Sequence, residues 1–349
     1  MTDAYAESGV DTSAADRGVA ALVEVLRTID TGRASRTVPL PGHFAAVLEV
    51  APNLGIAVGT DGVGSKLIVA EQAGRYDTVG IDCVAMNVND LVCVGAEPIA
   101  VVDYLAVEQA DPDVMRQIAV GLKRGAELAG VEVPGGEVAV LPELIRGHPS
   151  PHGFDLTAAC FGTVALDRIV TGAETCPGDA LIGLPSSGLH SNGYSLARRA
   201  LSGLAVDDRP ESLAGASVAD ALLEPTVIYV RAVLELLRSR VEVHGLAHIT
   251  GGGVLNLTRL SGDVGFAITD PLPVPPICAL VRDLGGVPDA EMWEVFNMGC
   301  GFVAVVPETD AEAAAGLLAS HHPGSRRIGT VTDRPREVTV TPAGVTLSA

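Results

Sequence analysis

Lysine is almost missing from this chain of 349 residues, occurring only at Lys66 and Lys123. Aromatic residues make up 3% of the sequence, too few for a stacking platform that would hold single-stranded nucleic acid. Positive charge is scarce as well, with 23 Lys plus Arg against 43 Asp plus Glu and a formal net charge of -20. That balance opposes binding to phosphate backbones or anionic membranes, both of which need concentrated basic charge. No nucleic-acid or membrane partner is therefore expected. A nucleotide ligand stays open, because a small phosphate-bearing molecule needs only a few oriented N–H groups, a local cation or Mg2+. The chain also lacks an apolar run of the ~18 residues a membrane span requires, and its start lacks the basic segment and apolar core of a signal peptide. The expected location is the cytoplasm. The six cysteines form no C-x-x-C pair and no tight metal-ligand cluster along the sequence, so they read as reduced and mostly packed.

What remains is a chain rich in small apolar residues. Hydrophobic residues reach 48%, with 40 Gly and 22 Pro, which describes a compact protein crossed by many turns and built on Val, Leu, Ile and Ala. At roughly 150 residues per domain the length suggests two domains. The pattern predicts an amphipathic helix over 16–30, with Val19, Leu22, Val23 and Leu26 at helical spacing, and a strand over 54–60 delivering Asp61 to a loop. A helix ending at Gly74 follows, then a buried helix within 78–95, a strand over 99–107, a helix over 112–129 and a strand over 154–165. A second unit opens near 171–178 and continues through the strand ALIGLPS, helices over 194–202 and 225–239, strands over 264–269 and 301–306, and a helix over 309–319. Residues 277–284 fit either a helix or a strand.

Several segments carry polar groups that chemistry can use. In TDGVGSK at 60–66 the glycines permit close backbone approach, Lys66 can neutralise phosphate and Asp61 can bind a hard cation such as Mg2+. The same stretch also reads as a tight turn capping the next helix, and it lacks the spacing of a P-loop. Asp82, Asn87, Asn89 and Asp90 lie on an apolar helix, where a buried carboxylate needs a donor or a metal. Glu137 follows Gly135 and Gly136 and suits a metal or ribose contact, or an ordinary turn. SSGLHSNG at 186–193 offers Ser186, Ser187, His190, Ser191 and Asn192 at the opening of a helix, and HITGGG at 248–253 adds backbone donors beside His248 and Thr250. Late in the chain, Glu291 and the segment FNMGCG at 296–301, with Asn297 and Cys300 inside it, place polar groups beside a turn, and Cys300 is expected to be packed rather than nucleophilic.

Taken in order, YAESGVD (5–11), GTDGVGSKL (59–67), GIDCVAMNVNDLVCVGAEP (80–98), GGE (135–137), SSGLHSNGYSLAR (186–198), HITGGG (248–253) and FNMGCG (296–301) resemble the phosphoribosylformylglycinamidine cyclo-ligase, or aminoimidazole ribonucleotide synthetase, family over nearly the whole chain. The resemblance implies an α/β (α+β mixed) two-domain ATP-binding fold. It places an N-terminal domain for ATP binding and homodimer formation at 1–170 and a C-terminal domain completing the substrate site at 171–345. It also implies ATP and Mg2+ as ligands and formylglycinamidine ribonucleotide as substrate. Asp61, Asp90 and Glu137 become the expected metal ligands, and Lys66, His190 and His248 the expected catalytic groups. Asp61, Gly62, Gly64, Ser65, Lys66, Asp90, Glu137, Asn192, Gly251 and Gly252 are expected around the nucleotide. In the implied reaction the formyl oxygen attacks the γ-phosphate, a nitrogen on the amidine side closes the ring on the activated carbon, and phosphate leaves. His248 enters on its position beside TGGG, as an acid/base or an orienting group.

The sequence departs from the family pattern at GGEVAVLP, where Val138 and Val140 replace the usual Thr and Glu, and at PGHFAAV (41–47), which is less glycine-rich than usual. Two other readings remain at this point. Thiamine-monophosphate kinase belongs to the same superfamily, and a catalytically silent nucleotide-binding scaffold would fit the altered GGE segment. Hydride transfer is less persuasive, because no G-x-G-x-x-G fingerprint opens a strand–helix unit.

Overall fold

The structure, a computed structural model, describes residues 12–260 and 262–349. The YAESGVD motif lies outside the described residues. Helix α1 (Thr12–Leu26) leads into β1 (Thr37–Val38), β2 (Ala46–Ala51) and β3 (Leu54–Gly62), followed by α2 (Lys66–Ala73), α3 (Val79–Val92) and β4 (Glu97–Val107). Helix α4 (Pro112–Ala129), β5 (Glu132–Val140) and β6 (Phe154–Val164) complete a six-stranded sheet of order β1-β2-β3-β6-β4-β5. Its neighbours are antiparallel except for the parallel pair β4–β5.

The second sheet has seven strands in the order β13-β12-β9-β11-β7-β10-β8. They are β7 (Ala180–Pro185), β8 (Gly245–His248), β9 (Gly265–Ile268), β10 (Cys300–Val306), β11 (Arg326–Thr332), β12 (Glu337–Val340) and β13 (Val345–Ser348). Helices α5 (Tyr194–Ala200), α6 (Val218–Leu222), α7 (Val230–Arg238), α8 (Pro276–Gly285), α9 (Asp289–Val295) and α10 (Ala311–His321) accompany it. The ambiguous segment 277–284 is thus helical, started by Pro276 and stopped by Gly286 in the left-handed conformation.

Alternation explains the first sheet. Along β6 every second residue is buried from Phe154 to Val164, and the residues between are half-buried. One face packs on α3, whose residues are nearly all enclosed; the other, carrying Leu48, Ile56, Val58, Val102, Tyr104 and Phe161, is only partly covered. Gly74 ends α2 with φ 62° and accepts the left-handed cap at no steric cost. Asp111 caps α4 by accepting from the N–H groups of Asp113 and Val114, ahead of Pro112.

Two expectations change. Helix α1 forms, but Val19, Leu22 and Leu26 remain more than half exposed, because no other described part of the chain packs over that stripe. The Gly135-Gly136 pair does not turn the chain, and β5 runs straight through it, paired with β4. Among the described residues, no helix is long and apolar enough to cross a membrane.

Candidate functional site

The edge where β3 ends is built by hydrogen bonds that a sequence does not display. Asn87 on α3 accepts from the Asp61 N–H at 3.0 Å and donates to the Asp61 carbonyl at 3.1 Å. The Gly62 N–H then donates to Asp61 Oδ1 at 2.7 Å, so the carboxylate is fixed at the strand end. Burial raises the Asp61 carboxyl above its ordinary value, and the nearby charge of Asp90 pushes the same way. Gly64 sits at φ 72°, and Ser65 Oγ lies 3.4 Å from Ser195 Oγ on the second half.

One turn further along α3, Asp90 Oδ1 is 2.8 Å from His248 Nδ1 at the end of β8. The His248 ring is fully buried, whereas Asp90 keeps 19% of its side chain exposed. Asn89 lies 3.4 Å from the other ring nitrogen and also accepts from the Tyr229 N–H and donates to the Val227 carbonyl. Adjacent polar residues of α3 therefore grip the second half. His248 thereby acquires partners on both nitrogens, a geometry for orienting Asp90 more than for reaching a substrate.

Lys66 is placed differently from the expectation that it faces a phosphate. Its ammonium is fully buried, 3.0 and 2.9 Å from the two carboxylate oxygens of Asp82, and donates to the carbonyls of His190 at 3.0 Å and Glu224 at 2.7 Å. Burial lowers its proton affinity while the Asp82 carboxylate opposes that shift. Asp82 also accepts from the N–H and hydroxyl of Thr226. The physical reason is the helix: Lys66 opens α2, and from there its side chain runs into the junction between the halves instead of into the glycine turn.

The second half contributes SSGLHSNG and HITGGG. His190 has a positive φ of 63° and a buried ring whose Nε2 accepts from the Ser187 N–H, leaving Nδ1 without a partner. Burial, with His248 and Lys66 nearby, holds it well below the usual imidazole range, so it is a neutral ring. Asn192 Oδ1 is likewise enclosed and unpartnered. The Asn192 amide stands against Gly251, where an added Cβ would lie 3.2 Å from its nitrogen, and Gly252 adopts φ 100°. Asn256 braces that turn by donating to the Gly251 and Gly253 carbonyls. Asn297 braces the other, accepting from Ser186 Oγ and donating to the Gly188 carbonyl. Cys300 is packed, its thiol pushed up to about 12 by burial.

Glu137 is not brought to Asp61 and Asp90 within one chain. The row Asp61–Ala158–Asp103–Gly136 crosses the sheet on the helix-covered face, whereas Glu137 sits in the next row with Tyr104, Thr157 and Gly62, pointing to the opposite face. Sequence reasoning missed three groups beside the cleft. Asp103 shares the row of Asp61, and burial raises its carboxyl. Arg259 donates to the carbonyls of Gly42 and His43 at 3.0 Å each and lies over the Phe44 ring. His43 accepts from the Phe44 N–H at Nδ1, leaving a buried Nε2 unpartnered; burial and Arg259 lower its value to about 4. The histidine inside PGHFAAV was the one available signal.

Comparison with known proteins now adds to the geometry. The family described as AIR synthase related protein, N-terminal domain, matches residues 42–164, and its C-terminal domain counterpart matches 176–341. A phosphoribosylformylglycinamidine cyclo-ligase of Methanothermobacter thermautotrophicus is 50% identical over 339 residues, 96% of each chain. One from Thermococcus gammatolerans is 48% identical over 335 residues, covering 95% of this chain and 96% of that one. Among solved structures, the hydrogenase maturation protein HypE in complex with ATP superposes with a TM-score of 0.60 at 21% identity, covering 89% of both chains. PurL of T. maritima complexed with FGAR gives 0.58 at 18% identity, covering 88% of this chain and 46% of that one. At those identities the superpositions speak for a shared fold.

Proposed function

The chain belongs to the phosphoribosylformylglycinamidine cyclo-ligase family, and from that premise we propose that the cleft between its two sheets closes formylglycinamidine ribonucleotide to aminoimidazole ribonucleotide at the expense of ATP, releasing ADP and phosphate. The observation that carries the assignment to this cleft is the Asp90–His248 contact at 2.8 Å. It joins the TDGVGSK end of the first sheet to the HITGGG end of the second across the junction of the two halves.

Nucleotide and Mg2+ fit the residues present. Asp61 and Asp90 are neighbouring carboxylates, and the Asp61 carboxyl is raised mainly by burial, with the charge of Asp90 adding to the shift. Hard oxygen donors of this kind suit Mg2+, which when bound supplies positive charge to the transferring phosphoryl group. Asp61 and Asp90 would hold it. Glu137 would join them only from another chain, since its own strand turns it away.

The remaining residues take roles that follow from their contacts. Lys66 holds the 190–192 loop against α2 through the His190 carbonyl, and so positions the second half. The unpartnered groups, His190 Nδ1, Asn192 Oδ1 and His43 Nε2, supply donors for formyl or phosphate oxygens and an acceptor for an amidine N–H. Orienting the reacting nitrogen beside the activated carbon converts ring closure into a positioned intramolecular step. Gly62, Gly64, Ser65, Gly251 and Gly252 let backbone approach the phosphates. A homodimer through the partly exposed face of the first sheet, where Leu48 and Tyr104 are uncovered, completes the reading.

The test is conversion of formylglycinamidine ribonucleotide and Mg-ATP to aminoimidazole ribonucleotide with an equal yield of ADP. Folded protein that hydrolyses or binds ATP without forming that product would overturn the assignment.

A further inference from the structure

The cysteine at 176 behaves unlike the other five. All of those are buried, whereas Cys176 is exposed, and folding sets it beside two residues of different chemistry. Its Sγ lies 3.5 Å from Asp179 Oδ1, and Asp179 Oδ2 lies 2.7 Å from His244 Nδ1. The ligand-capable atoms of Cys176, Asp179 and His244 all fall within 4.8 Å of one another. The sequence separates His244 from the other two by more than sixty positions, which is why no metal-ligand spacing is visible along the chain.

We propose that Cys176, Asp179 and His244 form a binding site for a thiophilic divalent transition metal of the Zn2+ class, at the end of the second sheet away from the catalytic cleft. Thiolate, imidazole and carboxylate together select such an ion over Mg2+ or Ca2+, which favour oxygen alone. Metal–ligand bonds of about 2.0–2.3 Å in a tetrahedron separate the ligands by roughly 3.3–3.8 Å. The sulfur–oxygen distance already meets that range. The Asp179–His244 hydrogen bond must open by about half an ångström as its proton gives way to the ion.

The site is held from behind. Cys176 and Asp179 belong to one tight turn, Cys-Pro-Gly-Asp, in which Gly178 has φ 101° and the Asp179 N–H donates to the Cys176 carbonyl. The Cys176 N–H donates to Asp179 Oδ2 at 2.9 Å. Asp179 is 95% buried at its side chain, from its 5% exposure, so this ligand is fixed before any ion arrives. On the far side of the ring, His244 Nε2 faces Glu242 Oε1 at 3.5 Å, an outer carboxylate placed to fix the ring and its tautomer. Exposed Cys176 leaves a fourth position open to water. Binding releases the thiol proton and shifts the ring proton from Nδ1 to Nε2, where Glu242 lies 3.5 Å away, so affinity must weaken on acidification.

The position defines the role. His244 immediately precedes β8, and Asp179 immediately precedes β7; both strands flank β10 at its Val305–Val306 end. His248 and Pro185 lie at the other end of the same strands, about 13 Å from His244 along β8 and about 20 Å from Asp179 along β7. A bound ion would clip the two strand entries together without touching substrate.

The experiment uses the full chain, reduced and stripped with a chelator. Co2+ should bind one equivalent per chain with a thiolate-to-metal charge-transfer band, and Zn2+ should displace it and raise the melting temperature. Cys176→Ser should abolish the band, His244→Ala should weaken Zn2+ binding at least tenfold, and both should lose the thermal shift. Asp61→Asn should keep all three signals, which separates this site from the catalytic carboxylates. Cyclisation by Cys176→Ser should be unchanged. Absence of the band in folded wild-type protein, or equal Zn2+ affinity in wild type, Cys176→Ser and His244→Ala, overturns the proposal.

Discussion

Asp90 and His248 meet at 2.8 Å across the junction of the two halves, with the imidazole fully enclosed and the carboxylate reaching the cleft. The pair makes the orientation of the Asp90 carboxylate depend on a strand of the other sheet. His248→Ala should lower kcat about ten- to a hundredfold, the usual cost of losing the group that orients a ligand carboxylate. His248→Asn, whose amide can donate from near the Nδ1 position, should recover a substantial part of that loss. Steady-state kinetics on both folded variants check this, and equal activity of the two would show that the hydrogen bond to Asp90 does not matter.

Asp61 gives a prediction in which stability and activity move in opposite directions. Burial lifts its carboxyl above the ordinary 3.8, so the folded chain binds that proton more tightly than the unfolded one. Its contribution is fully present below the unfolded value and is lost as pH rises through the raised folded value. At neutral pH ionised Asp61 therefore costs stability when no cation is present. Asp61→Asn should melt higher than wild type at pH 7, lose this advantage in acid, and lose most Mg-ATP turnover. Melting curves with and without Mg2+ decide it, since added Mg2+ should stabilise wild type and leave the variant nearly unmoved.

Removing the ammonium of Lys66 would strand Asp82 in the interior with Thr226 as its remaining donor. Breaking one side of a buried pair costs about 3–5 kcal/mol. Lys66→Met should show that loss in urea unfolding, together with a raised KM for the ribonucleotide as the 190–192 loop slackens. A loss of turnover at unchanged stability and KM would instead favour direct contact with phosphate.

His43 carries an enclosed Nε2 with no partner, an arrangement that costs about 1–3 kcal/mol. Replacing it with Leu removes that orphan but also the acceptor of the Phe44 N–H, so stability should change by less than about 1 kcal/mol while kcat/KM falls roughly tenfold, the value of one hydrogen bond to a reacting oxygen. Thermal melts and kinetics read the two effects separately. Unchanged kinetics in the folded variant would remove His43 from the substrate site.

Much of this was legible in the sequence because local patterns agree with the fold. The helix over 112–129 is bounded by an Asp-Pro cap and a terminal glycine, and α4 occupies those residues. The apolar run at 78–95 became α3, buried along nearly its whole length. Long-range placement was not legible. The glycines of PGGE suggest a turn, yet β4 offers a parallel ladder that holds the segment extended. The C-terminal strands β11, β12 and β13 went unmarked because β12 and β13 are only four residues long, and β11 and β12 are held by β9, about sixty residues or more upstream, with β13 added on β12. Lys66 looked like a phosphate ligand because its neighbours are glycines; only the acceptors at 190 and 224 reveal where its charge goes.

The enclosed ammonium has a consequence for how the protein comes into being. Residue 66 leaves the ribosome long before its acceptors at 190 and 224 exist, and until they arrive only Asp82 can answer its charge. The start of α2, and with it the glycine turn that precedes it, reaches its final setting only after the later half has docked. A nascent or truncated chain therefore lacks the finished setting of residues 60–66, which only the completed polypeptide supplies.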